Sequence, residues 1–214
     1  MKKFDLHTHS SYSSDGWIDP KNMVKIAIKN NLDGIAITDH NTIKGGLKAK
    51  NYETKDFKVI IGSEIITNQG EVIGLFLSEE IISKNLTDVI YEIKAQNGII
   101  VIPHPFDEMR HSALHPSDEF AYLIDCIEAF NSRCIFQKYN KKAVEYANKH
   151  DLSFVAGSDA HFGNEIGNAG IITEYEDLKE AIMTKKIEMF GKRSMLANHV
   201  FTKGLKKWRK IKYG

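Results

Sequence analysis

The sequence is poor in cysteine, in proline and in long apolar runs. Two cysteines, Cys126 and Cys134, stand in 214 residues, and their spacing matches neither a zinc knuckle nor a redox pair. That excludes a disulfide-stapled scaffold and leaves two free thiols in a reducing compartment as the expectation. The longest purely apolar runs are about four residues, such as Ile99 to Ile102, whereas a membrane-spanning helix needs about 20. No membrane span is expected. The opening Met-Lys-Lys-Phe-Asp-Leu-His enters polar chemistry at once with no apolar signal segment behind it, so the expected location is cytoplasmic. Four prolines and 15 glycines form no long linker, and no repeat or low-complexity tract is visible. At this length one domain over residues 1–214 is expected. Charge of one sign is also missing. With 29 Lys+Arg against 28 Asp+Glu the net charge is +1, which argues against a strongly basic nucleic-acid binder.

The near-neutral sum hides an asymmetry. From Lys192 to Gly214 there are eight Lys or Arg and no Asp or Glu, so the first 191 residues carry 21 basic against 28 acidic side chains. An acidic body with a basic tail is a different object from a neutral protein. Hydrophobic residues at 42% and charged residues at 27% fit a globular fold.

Short β-branched runs alternate with helical patterns. The predicted strands are Lys3–His7, Gly34–Asp39, Lys58–Ile65, Glu71–Leu77, Ile99–Pro103, Asp125–Phe130, Ser153–Gly157 and Gly170–Thr173. The predicted helices are Pro20–Asn31, Thr42–Lys50, Ser83–Asn97, Gln137–Asp151 and Tyr175–Lys186. Asp19 before Pro20 reads as an N-cap, and Asn97-Gly98 as a helix stop. The alternation points to an α/β fold with a largely parallel sheet, closed into a compact barrel.

Metal-ligand residue types gather where these strands end. His7 and His9 are two apart, a spacing that puts both imidazoles on one strand face, and Asp15 follows. Asp39 and His40 end the second strand. His40 reads as a ligand, and Asp39 either as a helper that orients an imidazole or as part of a helix N-terminus. Glu64 closes Lys58-Val-Ile-Ile, where a buried carboxylate is costly unless paired or ligating. His104 lies between two prolines after Ile99–Ile102, and Asp159 and His161 follow Phe154-Val-Ala. In a parallel barrel all C-terminal strand ends meet at one mouth, and so many ligand-type groups converging there call for cations. Imidazole plus carboxylate without thiolate suits Zn, Mn or Fe. His111, His115, His150 and His199 read as loop, cap or structural residues.

These stretches together resemble the polymerase-and-histidinol-phosphatase (PHP) family of metal-dependent phosphoesterases. The matching segments are Asp5-Leu-His-Thr-His-Ser, Ser14-Asp15-Gly16, Ile37-Thr-Asp-His-Asn, Gly62-Ser-Glu, Pro103-His104-Pro105 and Gly157-Ser-Asp-Ala-His. The resemblance implies a distorted seven-stranded β/α (TIM-like) barrel with two or three divalent ions at the C-terminal strand ends. His7, His9, Glu64 and Asp159 would hold one ion, and Glu64 and His104 a second. Asp15, His40 and His161 would hold the third. The additional ligand usual after the sixth strand, often His or Cys, is Asn131 here, which weakens the second site or makes it hard-ion and water-rich. Small members with Asn at this place resemble phosphatases acting on nucleotides or short oligonucleotides. Arg133 is then a candidate phosphate clamp or a salt-bridge residue, with Arg110 and Arg193 as lesser phosphate candidates.

The expected reaction is hydrolysis of a small phosphorylated substrate by a hydroxide bridging two ions, with Asp39, His104 and His161 as candidate catalytic groups. Two other functions fit the same residues: an amidohydrolase-like metal hydrolase, or a metal-bound accessory module that recruits nucleic acid through the tail. The basic segment at about 195–214 has two readings as well. Its cations around Trp208 fit a nucleic-acid backbone. Equally, Leu205, Trp208 and Ile211 fit the buried face of a last helix covering the barrel.

Overall fold

In the computed structural model, which describes residues 1–213, the chain opens with three parallel strands. β1 (Lys2–Asp5) pairs with β2 (Gly34–Ile37), and β2 with β3 (Lys58–Ile66). β3 turns into β4 (Glu71–Leu75), which lies antiparallel between β3 and β5 (Ile99–Ile102). β5, β6 (Cys126–Asn131) and β7 (Ser153–Gly157) are again parallel. β8 (Ala169–Thr173) pairs antiparallel with β1, and β9 (Glu188–Gly191) antiparallel with β8. The sheet order is β7-β6-β5-β4-β3-β2-β1-β8-β9.

The sheet curls until its far strands meet. After Asp5 the chain leaves β8 and joins the end of β7. There the Asp159 N–H donates to the His7 carbonyl and the His9 N–H to the Ala160 carbonyl, both at 2.8 Å. Gly157 permits this seam, because a Cβ there would stand 2.3 Å from the His7 Cβ. The result is a nearly closed α/β barrel. Nine strands among the described residues replace the seven that the resemblance implied, and the β3–β4–β5 turn interrupts the parallel order. All eight predicted strands are present. The ninth, Glu-Met-Phe-Gly, has no buried residue and is held by pairing with β8, so it carries no apolar pattern to read.

Helices cover the barrel. α1 (Pro20–Lys29) starts as expected, with the Asp19 carboxylate accepting the Lys21 N–H, and buries Met23, Val24 and Ala27. α2 (Lys44–Lys50) is shorter than expected at its start. α3 (Leu86–Ala95) starts later too, because Asn85 rather than Ser83 caps it. It stops where Asn97 turns left-handed and the Gly98 N–H reaches the Ile93 carbonyl. α4 (Gln137–Lys149) and the short α5 (Leu178–Met183), which Asp177 caps, follow. β2 and β5 are buried throughout, as strands covered on both faces should be. Each fully buried isoleucine among them contributes about 1.5–3 kcal/mol. Both cysteines are free and buried.

α6 (Leu196–Tyr213) carries the basic tail. Of the three residues expected to cover the barrel, only Leu205 is buried. Trp208 is 47% and Ile211 76% exposed. Each three-residue step falls about 60° short of a full turn, so that series rotates off the packed face. The face turned inward is Asn198, Thr202 and Leu205, with Lys206 and Arg209 beside them.

Candidate metal centre

The side chains at the strand ends converge on Glu64. Its Oε2 lies 3.5 Å from His7 Nε2, 3.3 Å from His9 Nε2 and 3.2 Å from His40 Nδ1, and its Oε1 lies 2.9 Å from His104 Nε2. Asp159 Oδ1 stands 3.4 Å from His9 Nε2, 3.7 Å from His7 Nε2 and 3.5 Å from His161 Nδ1. Asp15 Oδ2 is 3.3 Å from His40 Nε2 and 3.2 Å from His161 Nε2. His7 and His9 face the same way, as their spacing predicts, with Nε2 atoms 3.1 Å apart. Asp159 and His161 meet for a different reason. Asp159 is left-handed at φ 54°, and the chain folds back so that His161 Nδ1 bonds the Asp159 carbonyl at 2.7 Å. His104, between its prolines, is also left-handed at φ 30°. Backbone held in that region by non-glycine residues is common where function sets the geometry.

Potential ligand atoms fall into overlapping groups, each within 4.8 Å: His9, Asp15, His40 and His161; His7, His9 and Asp159; His7, Glu64 and His104; and His40, Glu64 and Glu71. The residues fit divalent ions by a second criterion. Asp15 Oδ1, Asp159 Oδ1, His40 Nδ1 and His104 Nδ1 are buried without a hydrogen-bond partner. A buried polar atom left unpaired costs about 1–3 kcal/mol, and more when charged, so these atoms fit a place that could hold ions. The donors are nitrogen and oxygen throughout.

Around this centre a second ring fixes the ligands, and sequence reading missed two of its members. Glu128, within β6, accepts the His7 Nδ1–H at 2.9 Å and the His104 backbone N–H at 2.6 Å. That bond keeps the His7 proton on Nδ1 and leaves Nε2 for the centre. The available signal was a lone carboxylate inside Cys-Ile-Glu-Ala-Phe. Glu71, at the start of β4, comes within 3.6 Å of His104 Nε2 and 4.0 Å of His40 Nδ1. Asp5 ties β1 to the loops after β7 by accepting the Ser158 and Gly167 N–H groups at 2.9 Å. Burial pushes its carboxyl up to about 6.

Three expectations need correction, for Asn131, Asp39 and Arg193, and of the two readings of Arg133 the salt bridge is the one present. Asn131 reaches the centre as a donor and presents no ligand atom. Its Oδ1 accepts the Arg133 N–H at 2.8 Å, and its Nδ2 donates to Glu128 at 2.9 Å and Asp159 at 3.3 Å. Asp39 turns away from the imidazoles. Both its oxygens take Ser10, from the backbone N–H and the hydroxyl, each at 2.6 Å, so it shapes the 10–15 loop. Arg133 is a buried strut. It grips both Glu165 oxygens at 2.8 and 2.9 Å and Thr202 Oγ1 of α6 at 2.9 Å, with 4% of its side chain exposed. Arg193 is exposed and donates to the Ile135 carbonyl. Arg110 alone of the three arginines stands at the centre, donating to Asp159 Oδ2 at 2.6 Å and to Asp107 at 3.2 Å. His111 and His115 are exposed loop residues.

Charge in the centre follows from crowding. Burial opposes ionisation of Glu64, but His7 and His40 hold its carboxyl well below the usual range. Burial likewise opposes Asp159, which Arg110 and His7 hold well below that range. Asp15 is held down by His161 and His40. His40, against its burial, is pushed up to about 9 by Glu64, Asp15 and Glu71. His7 is raised well above its ordinary value by Glu128, Asp159 and Glu64. Burial, with His161 and His40 beside it, lowers His9 to about 3. The carboxylates therefore stay ionised and draw positive charge onto their neighbours, a demand that divalent ions meet.

α6 lies across this mouth. Lys206 Nζ is 2.7 Å from Asp15 Oδ2, and Arg209 donates to the Ser13 carbonyl at 2.5 Å. His199, half-buried on the same helix, is lowered to about 4 by burial and by Arg133 and Arg110. No helix among the described residues is long and apolar enough to cross a membrane.

The arrangement matches known proteins. The PHP domain model covers residues 5–197. The uncharacterized protein MJ0417 of Methanocaldococcus jannaschii is 42% identical over 176 residues, which are 79% of this chain and 69% of that protein. A two-domain protein of Bacteroides vulgatus, described as containing a PHP-like metal-dependent phosphoesterase, superposes with a TM-score of 0.75 at 21% identity. That match covers 89% of this chain and 65% of the Bacteroides protein. A protein of Bifidobacterium adolescentis described as a metal-dependent phosphoesterase superposes with a TM-score of 0.66 at 17% identity, over 86% of this chain and 96% of that one. At those identities the two structures speak for the fold, and the family model, matched over most of the sequence, makes this chain a member of the PHP domain family.

Proposed function

We propose that the protein is a metal-dependent phosphoesterase acting on a small phosphorylated substrate. The observation that carries this reading is the set of overlapping ligand groups that share His7, His9, His40 and Glu64, with orphaned buried atoms among them. His7, His9, Glu64 and Asp159 would hold one ion, Glu64 and His104 a second, and Asp15, His40 and His161 a third. Mn, Zn and Fe all suit such donors. When bound, divalent ions bring the pKa of a coordinated water toward 7 and polarise phosphoryl oxygens.

The chain's own groups do the rest. Glu128 fixes the tautomer of His7 and, with Asn131, the direction of the Glu64–His104 edge. Arg110, 24% exposed and fixed by two carboxylates, is the guanidinium placed to meet a phosphate oxygen at the mouth. His104 and His161 act here as ligands, which leaves no separate general acid. The helix across the mouth favours a nucleotide, a short oligonucleotide or another small phosphate ester over a long polymer. The test is turnover of a generic aryl phosphate with added Mn²⁺, by wild type and by His9→Ala. Wild-type turnover that depends on the metal and is lost in the variant is expected. Inactivity of the wild type on both mono- and diesters overturns the reading.

A further inference from the structure

The basic tail sends two of its cations inward. Thr202, Lys206 and Arg209 stand at i, i+4 and i+7 of α6, so they share one helix face. Thr202 is pinned by the buried Arg133–Glu165 pair. Arg209 is pinned by the Ser13 carbonyl, on the loop whose Ser13 Oγ accepts the His40 N–H at 2.8 Å. Between these two anchors Lys206 is delivered to Asp15, a member of the His9–Asp15–His40–His161 group. Asp15 is 2% exposed, whereas the Lys206 side chain is 52% exposed. The ammonium therefore sits on the solvent side of the centre, where an anion would approach.

We infer that Lys206 is a substrate-binding residue that contacts the phosphoryl group, and that α6 belongs to the active site. This rests on the phosphoester reading above. An ammonium carries three N–H donors. One is engaged by Asp15 Oδ2, which leaves two on a side chain that is 52% exposed. Lys206 is thus fixed in direction by a ligand carboxylate while it still has donors for phosphate oxygens. The outer cations of the same helix, Lys203 and Lys207, lie off this face and are exposed.

The experiment compares Lys206→Ala, Lys206→Arg, Lys203→Ala and Lys207→Ala in full-length, metal-loaded protein. Four quantities are read: KM and kcat on a phosphomonoester, inhibition by inorganic phosphate, and metal content per chain. Lys206→Ala is expected to raise KM and to weaken phosphate binding in parallel, by about 10- to 100-fold, the range for losing one charge-assisted hydrogen bond. Metal content stays at the wild-type level, Lys206→Arg recovers part of the loss, and the two outer variants match wild type. Unchanged KM and phosphate affinity in Lys206→Ala overturns the assignment. So does a loss matched by a fall in metal content, which would make Lys206 a counterion of Asp15 only. If the wild type hydrolyses none of the substrates, calorimetric phosphate binding to the metal-loaded protein still decides the role of Lys206 by the same comparison. The two readings therefore fail separately.

Discussion

Within β3 and just past the ends of β1, β2, β5 and β7 the ligand-type side chains are buried, His40 partly, and placed by the backbone itself. His104 and Asp159 are left-handed, and the 7–9 segment is bonded to 159–160. α6 approaches the same mouth from outside, with half-exposed basic side chains on a helix held by Arg133, Thr202 and Arg209. The strand ends bring together groups whose charges conflict unless ions are shared among them. The helix brings charges that need no ion. On the functions proposed above, rigid placement would serve metal binding, and a tethered, partly solvated helix would serve contact with substrate.

The comparison breaks most sharply at Glu64. Glu64→Ala removes the one carboxylate shared by two of the ligand groups. Metal content and metal-dependent turnover should both fall by more than the ~100-fold of an outer residue. Elemental analysis alongside kinetics checks this, and retained metal would show that Glu64 is not the hub. Next is the helix tether. Arg133→Ala leaves Glu165 buried without its cation, held only by the His161 and Phe162 N–H groups, at a cost of up to about 3–5 kcal/mol. Thermal unfolding should show the loss, and exchange of the α6 amides should rise. A variant with wild-type stability would mean that this strut carries little.

The ring behind the ligands comes third. Glu128→Gln preserves shape but weakens the acceptor for the His7 Nδ1–H, and about a 10- to 100-fold loss in metal affinity is expected. Metal titration followed by calorimetry measures it. The smallest effect concerns pH and α6. His199 has its folded pKa lowered to about 4, so on acidification the unfolded chain takes up a proton first. Stability from this group is intact above the ordinary histidine value of 6.5 and is lost as pH falls toward 4. Denaturant unfolding at pH 7 and pH 5 should show a decline that His199→Gln reduces. Equal slopes in the two proteins would place His199 outside the packed helix face.

Much of the strand-end cluster was legible because its signal is local. His7 and His9 at a spacing of two, and single His, Asp or Glu residues closing apolar runs, mark both the strand and its end. Glu128 was missed because it sits inside a run that otherwise reads as core. Glu71 was missed because it opens a strand. The roles of Asn131, Asp39 and Arg133 depend on which neighbour each meets. Asn131 Oδ1 is taken by a backbone N–H two residues on, and Arg133 meets Glu165 and Thr202, 32 and 69 residues away. The last helix misled through its period, since a three-residue apolar series fits a helix only over a short stretch.

By itself the sequence determined the α/β alternation, the strand positions, the N/O character of the centre and the basic tail. All are carried by residue type and short spacing. Only the tertiary structure decided that the barrel closes through 7–9 against 159–160 and that Asn131 donates where a ligand was expected. It also decided that Lys206, of the tail's cations, is the one that reaches Asp15. These outcomes depend on distances between residues far apart in the chain, and those are set by how the sheet curls and how one helix face is anchored.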